Sequence, residues 1–148
     1  MKKLSGLKPK LIAVSVDSSQ GSLVHAEIIA DLLRGKAKEL KCPLYTFAES
    51  AALGSGYLIL SCGDKVFADP HSLIGGISAS YHSVSLVNAA KMLKVKQTTI
   101  STSEVRVNPF EVLKEADEEW VKKILSFQDS ALKEAILNYR SQVSVSHK

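Results

Sequence analysis

The sequence contains few of the residues that mark disulfide-rich or metal-binding proteins. Its 148 residues include only two cysteines, Cys42 and Cys62, and four histidines. Two cysteines are too few for a disulfide framework, and their apolar surroundings predict buried free thiols. The Cys and His spacing offers no metal site. We therefore expect neither a bound metal nor a cofactor.

The sequence also lacks a long apolar run. The longest stretch, residues 51–62, is interrupted by glycines and is too short to span a bilayer. No apolar segment follows Met1, Lys2 and Lys3, so we expect no secretory signal. An intracellular location is predicted, and an organelle such as the mitochondrion is compatible with it. Peripheral association with a membrane stays open.

The charge pattern gives no sign of a nucleic-acid partner. The formal net charge is +4, and Lys and Glu alternate along the chain without basic clusters interleaved with aromatics. We expect a solvated surface and a basic tail over residues 1–10. A single domain is predicted for residues 11–141, with a frayed tail over 142–148.

Hydrophobic periodicity predicts alternating strands and helices, the pattern of parallel βαβ units. Ligand sites in such sheets lie where strands end, which singles out the loops 17–22 and 49–56. Strands are predicted at 11–16, 44–47, 65–68 and 95–100, a strand or turn at 72–77, and helices at 22–41, 57–62, 85–93 and 117–140. At 57–62 periodicity alone does not exclude a strand.

The segment Ala51-Ala-Leu-Gly-Ser-Gly-Tyr57 is a turn of small residues between a strand and a buried helix. Several hydrolases present a nucleophile in this way, because small residues let the backbone approach the substrate. A Gly-Ser-Gly sequence alone is weak evidence for a nucleophile turn, since it occurs in many linkers.

The wider pattern resembles the signal peptide peptidase A family of serine peptidases, in the Clp protease/crotonase-like superfamily. The similarity rests on Ser55-Gly-Tyr57, on Asp64-Lys-Val-Phe-Ala-Asp-Pro70 and on Leu73-Ile-Gly-Gly-Ile77. The turn at 17–22 and the stretch at 103–110 are similar to two further family motifs. The resemblance covers residues 11–140 and implies a layered α/β fold with a mostly parallel sheet and a C-terminal helix.

The departures from the family pattern fall on the catalytic positions. The resemblance implies a Ser nucleophile and a Lys general base, but the aligned residues are Gly54 and Arg106, with Ser55 one place late. Arginine cannot act as the base, because its pKa stays above about 12. We therefore expect a degenerate peptidase that serves as a structural or interaction subunit.

Two alternatives stay open from sequence. In one, Ser55 is a shifted nucleophile, with the N–H groups of Gly21 and Gly56 holding the oxyanion and His71, a Lys or a neighbouring chain acting as base. In the other, the chain is a crotonase-like binder of acyl thioesters.

The resemblance also bears on partners. The family's catalytic core usually begins with further strands before the equivalent of Leu11, and their loss would uncover a sheet edge or an apolar face. We therefore expect docking onto other protein subunits or onto further copies of the chain. A structural ion pair of Arg106 with Glu49 or Glu104 is a further expectation.

Overall fold

The computed structural model describes residues 9–102 and 107–140, in an α/β arrangement. Strands and helices alternate along the chain as predicted, and a long helix ends the described part. The elements are β1 (Ile12–Ser18), α1 (Leu23–Leu40), β2 (Leu44–Leu53), α2 (Ser55–Ser61), β3 (Lys65–Ala68), β4 (Leu73–Gly75), α3 (Val87–Met92) and α4 (Glu115–Tyr139).

The four strands form one parallel sheet with β2 at its centre. β1 pairs with one side of β2, and β3 pairs with the other, so each βαβ crossover is parallel. β4 continues along the β3 side and pairs with Ala51–Leu53. The prediction of an α/β fold with a mostly parallel sheet and a C-terminal helix is confirmed.

β2 is longer than the sequence pattern predicted. Residues 49–53 were expected in a turn, but they extend the strand, and Leu53 pairs with Gly75. Pairing on the two sides of the strand holds these small residues in extended conformation. The register shifts between Val16 and Ser18, and Asp17 there accepts a hydrogen bond from the Ala51 N–H at 3.1 Å.

The described residues divide into two compact units. The first contains residues 9–78 and 129–140, and the second contains residues 79–102 and 107–128. The prediction of one domain over 11–141 stays a prediction.

In the second unit no strand forms at 95–100, where the sequence favoured one. These residues are exposed and pair with no described strand. β-branched residues alone do not make a strand without a neighbour to pair with.

The core of the first unit lies where α1 and α2 pack on the sheet. α1 contributes residues at helical spacing, namely Ala26, Ala30, Leu33 and Ala37. Leu58 and Leu60 of α2 are fully buried, and Leu132 and Ile136 of α4 pack in the same cluster as Leu58. In the first half of α4, by contrast, the apolar side chains of Trp120, Ile124 and Phe127 are exposed.

Within the part of the chain that the structure describes, no helix is long and apolar enough to cross a membrane.

Candidate active site

The candidate site is the sharp turn between β2 and α2. Its apex is Gly54, which has φ 54° and ψ −112°, a conformation that residues with a side chain rarely adopt. The Gly54 carbonyl accepts the Leu58 N–H at 3.2 Å and so begins α2. A strained strand-to-helix turn of this kind is how α/β hydrolases expose a nucleophile at the edge of the sheet. Here the apex residue has no side chain.

Two further glycines form one wall of this turn. The Gly54 N–H donates to the Gly75 carbonyl at 2.9 Å, which fixes the apex against the end of β4. A Cβ atom built on Gly54 would lie 3.6 Å from the Gly76 carbonyl oxygen, an ordinary contact. The site therefore has room for a side chain at position 54, and the positive φ is what favours glycine there.

Ser55 begins α2 and lies against the loop that follows β1. Ser55 is 8% exposed. Its Oγ lies 2.7 Å from the position that a Cβ on Gly21 would occupy, so the hydroxyl fills the space that Gly21 leaves open. The structure thus brings Ser55 and Gly21 together, with the Ser55 hydroxyl directed at the β1–α1 loop.

Gly56 allows α2 to approach the end of β1. A Cβ on Gly56 would lie 2.7 Å from the Ser18 carbonyl oxygen, closer than such atoms come in proteins. Gly21, Gly54, Ser55 and Gly56 therefore cluster at the carboxyl ends of β1 and β2, where parallel sheets place their sites. The role of Gly21 and Gly56 as oxyanion donors stays a prediction.

The residue at the base position implied by the resemblance is not among the described residues. Arg106 and Glu104 lie outside the described residues, so the predicted ion pair is not tested. His71 is in the loop between β3 and β4, two residues before Leu73, which pairs with Ala51. This register places His71 about five residues from Gly54 along β2, or roughly 16 Å at the rise of a strand.

His71 has another partner in that loop. Its Nδ1 is 3.1 Å from Asp69 Oδ1, and its side chain is 96% exposed. The structure therefore does not bring His71 to Ser55, and a pair of these two residues has no geometric support.

The hydrogen-bond partner of Glu49 is a serine and not a basic residue. Its carboxylate accepts a hydrogen bond from the Ser15 hydroxyl on β1. Both side chains are on the face of the sheet opposite Thr46 and Ala48, which are buried.

Asp64 is a structural residue at the start of β3. Its carboxylate accepts the Leu44 N–H at 2.8 Å and contacts Arg34 Nη1 at 2.5 Å. These two bonds, first the Leu44 N–H and then Arg34, lower the pKa of the Asp64 carboxyl below its ordinary value. The pair with Arg34 was not predicted, because it spans thirty positions and leaves no local signal in the sequence.

The thiol of Cys62 cannot supply a nucleophile. It is buried at the end of α2, and burial raises its pKa to about 11. The reactive form of cysteine is the thiolate, so this residue stays protonated and inert near neutral pH. Cys62 agrees with the prediction of a buried free thiol, whereas Cys42 is only partly buried.

The role of Gly75 and Gly76 as a wall of the turn was not predicted from the sequence, where the pair stands only within the segment Leu73-Ile-Gly-Gly-Ile77. A pair of glycines at the end of a short strand was the available signal. The Ser18 carbonyl beside Gly56 was missed altogether, since a backbone contact of this kind leaves no trace in the residue type of Ser18.

No family profile matches the chain. It is 30% identical over 115 residues to the Na⁺/H⁺ antiporter NhaA of Brucella melitensis biotype 1, and equally to that of Brucella abortus. It is 23% identical over 119 residues to a protein of Methanocaldococcus jannaschii that is provisionally assigned as a protease. These alignments cover 76% and 79% of the chain, respectively.

The chain spans only part of each relative, 16% of the antiporters and 38% of the archaeal protein. The archaeal match agrees with a peptidase-like α/β fold.

Proposed function

We propose that the chain is a catalytically inactive relative of signal peptide peptidase A-type serine peptidases, acting as an interaction subunit of a larger assembly. The observation that carries this proposal is the apex of the β2–α2 turn. The backbone of Gly54 has the strained geometry of a nucleophile position, but glycine has no atom that could attack a carbonyl. The similarity to the archaeal protein supports a peptidase ancestry.

The neighbouring residue does not replace the missing nucleophile. Ser55 begins the helix after the apex, is almost fully buried, and directs its hydroxyl at Gly21. A serine nucleophile needs a base within hydrogen-bond reach, about 2.6–3.2 Å. The register keeps His71 far from Ser55. Arg106, at the base position implied by the family resemblance, would remain charged and could not take a proton.

Exposed apolar surface supports the interaction role. Val24, Ile28 and Leu32 of α1 are each more than half exposed. On the sheet face opposite α1, Phe47 stacks on Phe67 with 4.9 Å between ring centroids, and Phe67 is 43% exposed. Apolar patches of this kind on a protein surface mark sites of contact with other molecules.

Fluorophosphonate labelling followed by intact-mass measurement tests the loss of activity. We expect no adduct on the folded wild-type chain, with Ser55→Ala as the matched control. An adduct on the wild type that is absent from Ser55→Ala would overturn the proposal and make Ser55 a shifted nucleophile.

A gain-of-function variant tests whether position 54 is the vacant nucleophile site. Gly54→Ser combined with Arg106→Lys places both family residues at the aligned positions, and the 3.6 Å clearance at Gly54 leaves room for the new side chain. We expect this variant to be labelled, and Gly54→Ala with Arg106→Lys to stay unlabelled. A folded serine variant without an adduct would refute the assignment of position 54.

A further inference from the structure

Helix α1 has a second apolar stripe on the side away from the core. Val24, Ile28 and Leu32 are spaced by four residues and are 64%, 51% and 54% exposed. Gly35 extends the same face, and a Cβ built there would meet nothing within 4 Å. Residues at this spacing share one face of a helix, so the four positions form a continuous strip.

This strip lies on the other side of the helix from the residues that bind α1 to the sheet. The buried positions Ala26, Ala30, Leu33 and Ala37 form the inner face. At 100° per residue, Ile28 and Gly35 are on the opposite side of the helix. A helix that is apolar on two sides is typical of one covered on both.

Charges beside the strip favour one kind of cover. One flank has Glu27 in the N-terminal half of α1 and Lys38 in the C-terminal half. Asp31 and Arg34 on the same flank are already bonded within the chain, to the Tyr139 hydroxyl and to Asp64. Two such helices side by side and antiparallel, related by a twofold axis, bring Glu27 of one next to Lys38 of the partner subunit. The opposed helix dipoles also favour the antiparallel pair.

The gap at Gly35 sets the register of such a pair. Ile28 is large and Gly35 lacks a side chain, and seven residues separate them. If each Ile28 packs over Gly35 of the partner subunit, the two helices can approach closely. In this register Glu27 is displaced from Lys38 of the partner subunit by two residues, about 3 Å along the axis. Side chains of this length span that offset.

We propose that α1 pairs with α1 of a second copy of the chain, antiparallel about a twofold axis, with Ile28 seated over Gly35 of the partner subunit. This inference rests on the proposed interaction role and names its partner. A single helix pair is small, and interfaces below about 1,200 Å² belong to weak or transient complexes. We therefore expect a dimer that forms in the micromolar range.

Sedimentation velocity of the full chain from low micromolar to submillimolar concentration tests the pairing. We expect a monomer–dimer equilibrium that Ile28→Asp weakens by about tenfold or more, which corresponds to about 1.4 kcal/mol. Leu73→Asp is the matched control, since Leu73 is at least as exposed, 64% against 51% for Ile28, and is in the same unit but lies on β4. A monomer at every concentration, or equal weakening by both variants, would overturn the proposal.

A charge exchange tests the orientation. Glu27→Lys and Lys38→Glu are each expected to weaken the dimer several-fold, and the double variant to recover most of the loss. Equal association of all four proteins would contradict the antiparallel arrangement. Circular dichroism of each variant at low concentration separates a folding defect from a loss of pairing.

Cross-linking tests the register. Ile28→Cys mixed with Gly35→Cys, both with Cys42→Ser, should give a disulfide-linked heterodimer under mild oxidation, whereas Ile28→Cys alone should cross-link poorly. The reverse result would refute the Ile28–Gly35 contact. The outcome is independent of fluorophosphonate labelling, so a monomer without an adduct would refute the dimer and leave the inactive-peptidase proposal standing.

Discussion

The contact between Gly21 and Ser55 gives a sharp test of the site geometry. The change is Gly21→Ala, made in the wild type and in Ser55→Ala. In the wild type the new Cβ would lie 2.7 Å from Ser55 Oγ, so one of the two must move. In Ser55→Ala the nearest atom would be the Cβ of residue 55 at 3.7 Å, an ordinary contact.

The expected magnitudes follow from these distances. Overpacking a buried site destabilises by about 1–3 kcal/mol, and rotation of the serine hydroxyl to another rotamer relieves part of this. Gly21 does not have a positive φ, so alanine also gains about 0.4–1 kcal/mol by restricting the unfolded chain. We expect Gly21→Ala to lower the free energy of unfolding by about 1 kcal/mol in the wild type. In Ser55→Ala the same change should raise it by about 0.4–1 kcal/mol.

Urea unfolding of the four proteins measures this coupling. The difference between the two effects of Gly21→Ala is the interaction energy, expected at about 1–2 kcal/mol, with unchanged dependence on urea concentration. Equal effects of Gly21→Ala in both backgrounds would show that the Ser55 hydroxyl does not face Gly21. The argument that Ser55 is occupied structurally would then fail.

Three further predictions concern stability. Gly56→Ala should destabilise the chain by about 1–3 kcal/mol, because its Cβ would meet the Ser18 carbonyl. Gly35→Ala, in open space on α1, should stabilise it by up to about 1 kcal/mol at concentrations where the chain is monomeric. Thermal melts compare the pair, and a melting temperature that Gly56→Ala leaves unchanged or raises would contradict the packing at Gly56. The lowered pKa of Asp64 stabilises the fold above the ordinary value of 3.8, and this contribution is lost as the pH falls through the lower folded pKa. The side chain is 44% exposed, so the effect should stay below about 1 kcal/mol after solvent screening. Stability measured from pH 7 to 2 should fall less steeply for Asp64→Asn, and an unchanged acid limb would refute the role of the Leu44 and Arg34 bonds.

The parts of the fold that the sequence predicted best are those with strong periodicity. The helix after Ser22 and the strand 65–68 agree with α1 and β3 within a few residues, because each has a clear apolar pattern and a clear stop. The failures have a common cause in tertiary pairing. Residues 49–53 extend β2 because β4 pairs with them, and residues 95–100 form no strand because they pair with no described one.

The candidate site was predictable in position but not in detail. Small residues after two apolar strands indicated the right loops, since parallel strands end at the same edge of the sheet. The direction of the Ser55 hydroxyl could not be predicted, because it depends on the approach of α2 to the end of β1. The distance of His71 from the site likewise follows only from the register of β4 on β2.

The paired bonds between Asp64 and Leu44 have a consequence for the order of folding. The Asp64 N–H donates to the Leu44 carbonyl at 2.7 Å, while the Leu44 N–H donates to the Asp64 carboxylate. These bonds close the β2–α2–β3 segment over a loop shorter than the one that joins Ile12 to Leu44 across β1 and β2. Shorter loops lose less chain entropy on closing. This segment can therefore assemble first and offer the free edge of β2, on which β1 then docks.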